Sequence, residues 1–204
     1  MSIESSHNAK LWALSLPAVL VVVLDQVTKY LVRTTPELQN WDLVPGLLSF
    51  HYTQNPGMAL GMDWAPTPVI SSVAIVVALG LLVYILKTLH HATAGYLVCM
   101  GLIIGGAFGN IIDRLIMAKI QGYGGVLDGH VVDFIHFTMI APDWVPWLGG
   151  YPVFPYIFNI ADSAISVAIV VLLLFHQKFL HPQTRGDSGA HEAAETSPEG
   201  TATP

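Results

Sequence analysis

Two carboxylates in this chain, Asp133 and Asp162, sit in apolar sequence without a Lys or Arg close by. Asp162 lies in the first turns of the long apolar run 157–175, and the next basic residue after it is Lys178. A carboxylate at the centre of a membrane helix costs about 2.5–3.5 kcal/mol on insertion scales, so it reads as a functional site with a partner elsewhere. Two facing carboxylates cannot both ionise easily and therefore share a proton. One can then act as base on a water while the other acts as acid. That chemistry hydrolyses an amide without a metal or a covalent intermediate.

The remaining charges inside apolar sequence divide into two groups. Asp25 and Lys29 are spaced i,i+4 and can pair along one helix face, as a self-neutralising structural pair or as part of the chemistry. Asp113 and Arg114 are adjacent, point in different directions on a helix, and each needs a partner on another element or a ligand. Arg114 is suited to gripping polar groups of a substrate. Gly105, Gly106 and Gly109 just before them allow close helix packing. Rival chemistries are poorly supported. His130, Asp133 and His136 hint at a metal, but on a strand the two histidines share a face and Asp133 points to the other. There is no His-Glu-x-x-His and no Gly-x-Ser-x-Gly. Ser163 and Ser166 read as backbone-bonding or packing residues. No metal or cofactor is expected.

The elements that must position these residues are membrane helices. Of 204 residues, 53% are hydrophobic and 11% charged, with mean hydropathy +0.58. A soluble domain carries about 25% charged residues. Four segments, 12–32, 68–87, 95–117 and 157–176, approach the roughly 20 apolar residues that cross a bilayer. No small-residue cleavage site follows the first, so it reads as a retained helix. Cys99, the one cysteine, lies in an apolar run and reads as a buried inert thiol. The net charge of −6 comes largely from a tail rich in Ala, Ser, Thr and Pro, and there is no basic patch for nucleic acid.

Lys10, Lys87, Lys178 and Arg185 flank one side of the four spans. The stretches 34–67 and 118–156 hold only Lys119 between them. The positive-inside rule therefore places both termini in the cytoplasm. In that orientation Asp25, Lys29, Asn110, Asp113, Arg114, Asn159 and Asp162 collect at one depth, near the outer interface, with Asn55 and Asp133 in the outer loops. This shared depth is the argument for pairing Asp133 with Asp162. Trp41, Trp64, Trp144, Trp147, Tyr151 and Tyr156 fall in the outer stretches and suit an interfacial belt. Residues 47–53 and 131–137, β-branched and aromatic, read as short strands over the membrane surface.

Five blocks in order give the chain a resemblance to a known family. They are Asp25-Gln26-Val27-Thr28-Lys29, Asn55-Pro56-Gly57-Met58-Ala59-Leu60-Gly61, Gly105 to Arg114 (Gly-Gly-Ala-Phe-Gly-Asn-Ile-Ile-Asp-Arg), Val131-Val132-Asp133-Phe134, and Phe158-Asn159-Ile160-Ala161-Asp162-Ser163. Together they resemble lipoprotein signal peptidase (signal peptidase II), an aspartic protease of bacterial membranes. The resemblance implies that Asp133 and Asp162 are a catalytic dyad. It implies that Asn55, Asn110, Arg114 and Asn159 contact substrate or position the dyad, with Asp25, Lys29, Asp113, Gly109 and Ala161 supporting the site. The implied substrate is a diacylglyceryl-modified prolipoprotein, cut before the lipidated cysteine, and membrane lipid is the implied surrounding partner. The chain departs from the family at Met58 and Leu60 and in a Gly-rich insert, Gln121 to Gly129, whose Gly122, Gly124 and Gly125 suggest a loop that opens for substrate.

The expected fold class is an all-α membrane protein with four transmembrane helices and a small extracytoplasmic β-element. Residues 1–180 are expected to form a single peptidase domain in the inner membrane, with the site near its outer face, and 181–204 a disordered cytoplasmic tail. The rival functions are a proton-coupled carrier using the intramembrane carboxylates and a lipid-binding scaffold.

Overall fold

The structure, a computed structural model, describes residues 2–57 and 65–180, without side-chain detail at 2–6, 178 and 180. Met58, Leu60, Trp64 and the 181–204 tail lie outside the described residues. Four helices make up the frame: α1 (Ser2–Thr34), α2 (Thr67–Thr88), α3 (Ala94–Gln121) and α4 (Ile160–Leu180). Each is long and apolar enough to cross a membrane. Their outer faces expose Val, Leu and Ile, with Val76 at 70% and Leu174 at 72%, as a lipid solvent allows.

The central helix is α3, half-buried along its length against the others. Its small residues decide how closely the neighbours approach. A Cβ on Gly101 or Gly105 would strike backbone of α1 at Leu14 and Ala18, and one on Gly106 would strike the Ala161 carbonyl of α4. The glycines at 101, 105 and 109 therefore form one four-residue stripe against α1, while Gly106 faces α4. Pro17 lies inside α1 beside Gly101. At its far end α3 stops on Gly122, whose φ of +77° suits glycine, and Tyr123 N–H bonds back to the Ala118 carbonyl at 3.0 Å.

The second layer is an antiparallel sheet in the order β1-β2-β3-β4, formed by Asn40–Val44, Leu48–Asn55, Val131–Phe137 and Ile157–Phe158. Strands β2 and β3 fall where β-branched and aromatic sequence predicts them. The other two carry no such signal. Strand β1 has all five residues exposed, so no buried alternation marks it. Strand β4 occupies residues that read as the start of the fourth span. The apolar run at 157 does not begin a helix there: Ile157 and Phe158 pair with His136 and Ile135, and α4 starts at Ile160.

The register sets Thr53 opposite Asp133 and Asn55 opposite Val131. The 121–129 insert is laced to the frame. Ser71 Oγ donates to the Leu127 carbonyl at 2.8 Å, Gly125 N–H to Asp128 Oδ2 at 2.8 Å, and Gly129 N–H to the Arg114 carbonyl at 3.1 Å. Cys99 is buried and unpaired.

Candidate active site

The start of α4 explains why Asp162 is where it is. Asn159 is the residue before the helix, and its Oδ1 accepts the Asp162 N–H at 2.9 Å, while Asp162 Oδ2 accepts the Asn159 N–H at 3.4 Å. This reciprocal pattern is a capping box with an amide and a carboxylate in place of hydroxyl and Glu. It holds one carboxylate oxygen from within the same turn, and the helix N-terminus favours negative charge there.

Asp133 is held from two sides. Its own strand is clamped at the preceding residue, where the Val132 N–H donates to Asp113 Oδ2 at 3.1 Å and the Val132 carbonyl accepts Asn159 Nδ2 at 3.3 Å. Side chains from α3 and from the α4 cap thus occupy the edge positions that a further strand would take. The carboxylate itself accepts Asn159 Nδ2 at 2.7 Å and Asn55 Nδ2 at 3.2 Å. Asn110 completes the junction: its Nδ2 donates to Asp162 Oδ1 at 2.8 Å, and its Oδ1 accepts from Lys29 at 2.9 Å and Asn159 at 3.1 Å. Asp133 and Asp162 are therefore linked through shared amides, and among the described residues neither has a cationic side chain within 4.0 Å. Burial, followed by the charge of Asp162, pushes the Asp133 carboxyl up to about 7.

Behind this pair lies a second cluster. Lys29, 1% exposed, reaches Asp25 and Asp113 at 2.8 Å each and Asn110 at 2.9 Å. Its three donors are thereby used. Asp25 Oδ1 also accepts the Ala161 N–H at 3.0 Å, capping α4 from α1. Gly109 makes room: a Cβ there would come within 2.7 Å of Asp25 Oδ2. The i,i+4 pairing of Asp25 and Lys29 holds, but the unit is larger than a pair. Asp113 and Arg114 diverge as the sequence requires, and both find partners on other elements. Arg114 lies at the edge of the site, with Nη1 donating to the Pro56 carbonyl at 3.4 Å. Burial and the Arg114 charge hold the nearby His130 below its ordinary range.

All eleven residues expected at the site thus fall in one connected region. Ser163 Oγ bonds the Asn159 carbonyl at 2.8 Å, the backbone role its sequence suggests. Gln26 joins them without being expected there: its Nε2 bonds the Gly109 carbonyl at 3.0 Å, Asp113 Oδ1 at 3.1 Å and Asp25 Oδ2 at 3.3 Å. An amide next to Asp25 inside an apolar run is the signal that the sequence offers for it. Among the described residues, no three His, Cys, Asp or Glu side chains gather as metal ligands.

Comparison with known proteins places this geometry in context. The family model described as signal peptidase (SPase) II matches residues 17–178. The lipoprotein signal peptidase of Porphyromonas gingivalis is 34% identical over 206 residues, covering 90% of this chain and 88% of its own. That of Chlorobium phaeobacteroides is 34% identical over 172 residues, covering 82% and 91%. A bacterial membrane enzyme solved by the in meso method superposes with a TM-score of 0.60 at 25% identity, covering 91% of this chain and 94% of that one.

Proposed function

The chain belongs to the signal peptidase II family and removes signal peptides from prolipoproteins, and from that premise we propose that Asp133 and Asp162 carry out the hydrolysis. The observation that supports this most is their shared setting: two carboxylates joined through Asn159 and Asn110, with amide partners and, among the described residues, no ion pair within 4.0 Å. A cation would hold a carboxylate ionised and inert. Amides fix its direction and leave its proton free to move.

The division of labour follows from the surroundings. Asp162, at a helix N-terminus with both oxygens accepting hydrogen bonds, is assigned the role of base and takes a proton from water. The resulting hydroxide forms a bond to the scissile carbonyl carbon. Asp133, raised to about 7, gives its proton to the carbonyl oxygen. As the gem-diol collapses, a hydroxyl proton returns to Asp133, the C=O bond re-forms and the C–N bond breaks, with the proton held on Asp162 passing to the leaving amine. Asn55, bonded to Asp133, and Arg114, bonded to the Pro56 carbonyl next to Asn55, are assigned to the substrate backbone. Asp25, Lys29, Asp113, Gly109 and Ala161 hold α1, α3 and α4 in register beneath it.

The substrate we assign is a prolipoprotein whose cysteine carries a diacylglyceryl group, cut just before that cysteine. The lipid remains in the bilayer while the peptide bond meets water. This accords with an inner-membrane protein whose termini are cytoplasmic and whose site lies near the outer face. Membrane lipid is then the surrounding partner, and nucleic acid is not one. Nothing in the fold or the relatives favours a proton-coupled carrier.

The test is cleavage of a diacylglyceryl-modified prolipoprotein by purified protein in detergent with chelator present. Asp133→Asn and Asp162→Asn should each lose about 10³-fold in turnover, within the range of general acid–base contributions, without a lower melting temperature. Substantial activity in either variant would show that aspartate to be structural.

A further inference from the structure

Between β3 and β4 the chain makes a lobe, residues 138–156, that the catalytic reading does not use. It carries one charged residue, Asp143, and four prolines, at 142, 146, 152 and 155. Its apolar side chains face outward: Trp147 is 99% exposed, Trp144 80%, Tyr151 67% and Ile140 54%. The fold holds them there. Trp147 takes φ +62°, a left-handed conformation that a bulky residue adopts only when its surroundings impose it.

The backbone of the lobe is closed on itself. Ala141 N–H donates to the Tyr151 carbonyl, Gly150 N–H to the Ala141 carbonyl and Val153 N–H to the Met139 carbonyl, each at 2.9 Å. Further bonds run from Val145 to Pro142 and from Gly149 to Val145, both 2.9 Å, and the prolines have no N–H to satisfy. A segment that ties its two ends together through its own backbone and turns an aromatic face outward suits the polar–apolar boundary of a membrane. Its root is fixed. Phe154 packs edge-on to Phe137 and Phe158, with ring centroids 6.2 and 5.7 Å away. Phe158 stands two residues before α4, a membrane-length helix, so the lobe is tethered where that helix meets the membrane boundary.

We propose that the 138–156 lobe is an interfacial anchor, seating Trp144, Trp147 and Tyr151 at the headgroup–acyl boundary of the bilayer. The lobe leads through β4 into α4, whose exposed Val, Ile and Leu side chains suit lipid, and the exposed Asp143 keeps the lobe at headgroup depth rather than in the hydrocarbon. Because the lobe joins the strand bearing Asp133 to the helix bearing Asp162, it sets the depth of both relative to the bilayer.

Tryptophan quenching tests this without substrate, so the result stands apart from the assignment of the aspartates. The full chain is reconstituted in phosphatidylcholine–phosphatidylglycerol vesicles containing lipid brominated either near the headgroup or near the chain end. The contribution of the lobe is the difference between wild type and Trp144→Phe, Trp147→Phe or the double variant, each checked for an unchanged melting temperature. The expected difference signal is quenched at least about twofold more by shallow than by deep bromines, as interfacial tryptophans are, and is protected from aqueous iodide. A signal open to iodide and untouched by brominated lipid overturns the proposal. So does a cysteine crosslink between copies at position 147, which would make a second copy the occupant. A drop in cleavage by Trp144→Ser plus Trp147→Ser that is equal in vesicles and detergent assigns the face to substrate instead, and also overturns it.

Discussion

Lys29 and Asn159 each gather two carboxylates, and in the mechanism we propose the contrast between them separates scaffold from site. Lys29 places an ammonium between Asp25 and Asp113, with every donor used. Asn159 places an amide between Asp133 and the cap that holds Asp162. Lys29, Asp25, Asp113, Asp133 and Asn159 are buried and Asp162 is half-buried, and the two clusters share Asn110. In the proposed mechanism, the ammonium supplies a counter-charge to its two carboxylates and makes them scaffold. The amide satisfies direction but not charge, so a proton can sit on one partner and leave it. Two neighbouring solutions to the same problem of buried charge thus serve opposite ends.

The largest effect that would sharpen this contrast is at Lys29. Lys29→Met leaves Asp25 and Asp113 facing each other without a counter-charge, and breaking a buried ion pair in this way costs about 3–5 kcal/mol. Thermal unfolding in detergent should show it, whereas Asp133→Asn should not lower the melting temperature. Equal destabilisation by both would erase the distinction. Asn110→Ala comes next, since it removes an acceptor from Lys29 and a donor from Asp162 together. An unsatisfied buried partner costs about 1–3 kcal/mol, and here turnover should fall along with stability. Gly109→Ala probes the packing alone. Its methyl would press on Asp25 Oδ2, an overpacking of about 1–3 kcal/mol that chemical denaturation would register and that should spare the pH profile.

The mildest probe is pH. Asp133 has a folded value of about 7 against an ordinary 3.8. Below the lower value the carboxyl is protonated whether folded or unfolded. Between the two, the folded protein keeps a proton that the unfolded chain has released, so stability falls as pH rises and levels off above about 7. Asp133→Asn should flatten that slope in denaturant titrations. For wild type, kcat/KM should decline about tenfold per pH unit above the same value as the shared proton is lost. A profile flat to pH 9 would remove the proton from Asp133.

Much of this architecture is legible in the amino-acid sequence. The four spans follow from runs of apolar residues, and β2 and β3 from β-branched and aromatic composition. Asp133 and Asp162 stand out because membrane-like sequence carries a lone carboxylate only at a cost. Strand β1 is not legible, because an exposed edge strand carries no buried alternation. Strand β4 is hidden because Ile157 and Phe158 are as apolar as the helix they precede, and only pairing with β3 makes them a strand. The role of Gln26 is hidden too, since two of its three bonds reach groups more than 80 positions away in α3 and the third goes to its own neighbour.

The sequence by itself determined which residues enter the membrane, that several polar side chains would need partners there, and the local cap that aims Asp162. Hydropathy and capping act over a few turns of chain, so they are written locally. Only the tertiary structure decided that Asp113 and Asn159 clamp the strand of Asp133, that Lys29 neutralises two carboxylates rather than one, and that Asn110 joins both clusters. Those outcomes depend on how closely α3 can approach α1 and α4. That distance is set where a glycine meets a backbone, by contacts between elements distant in the chain.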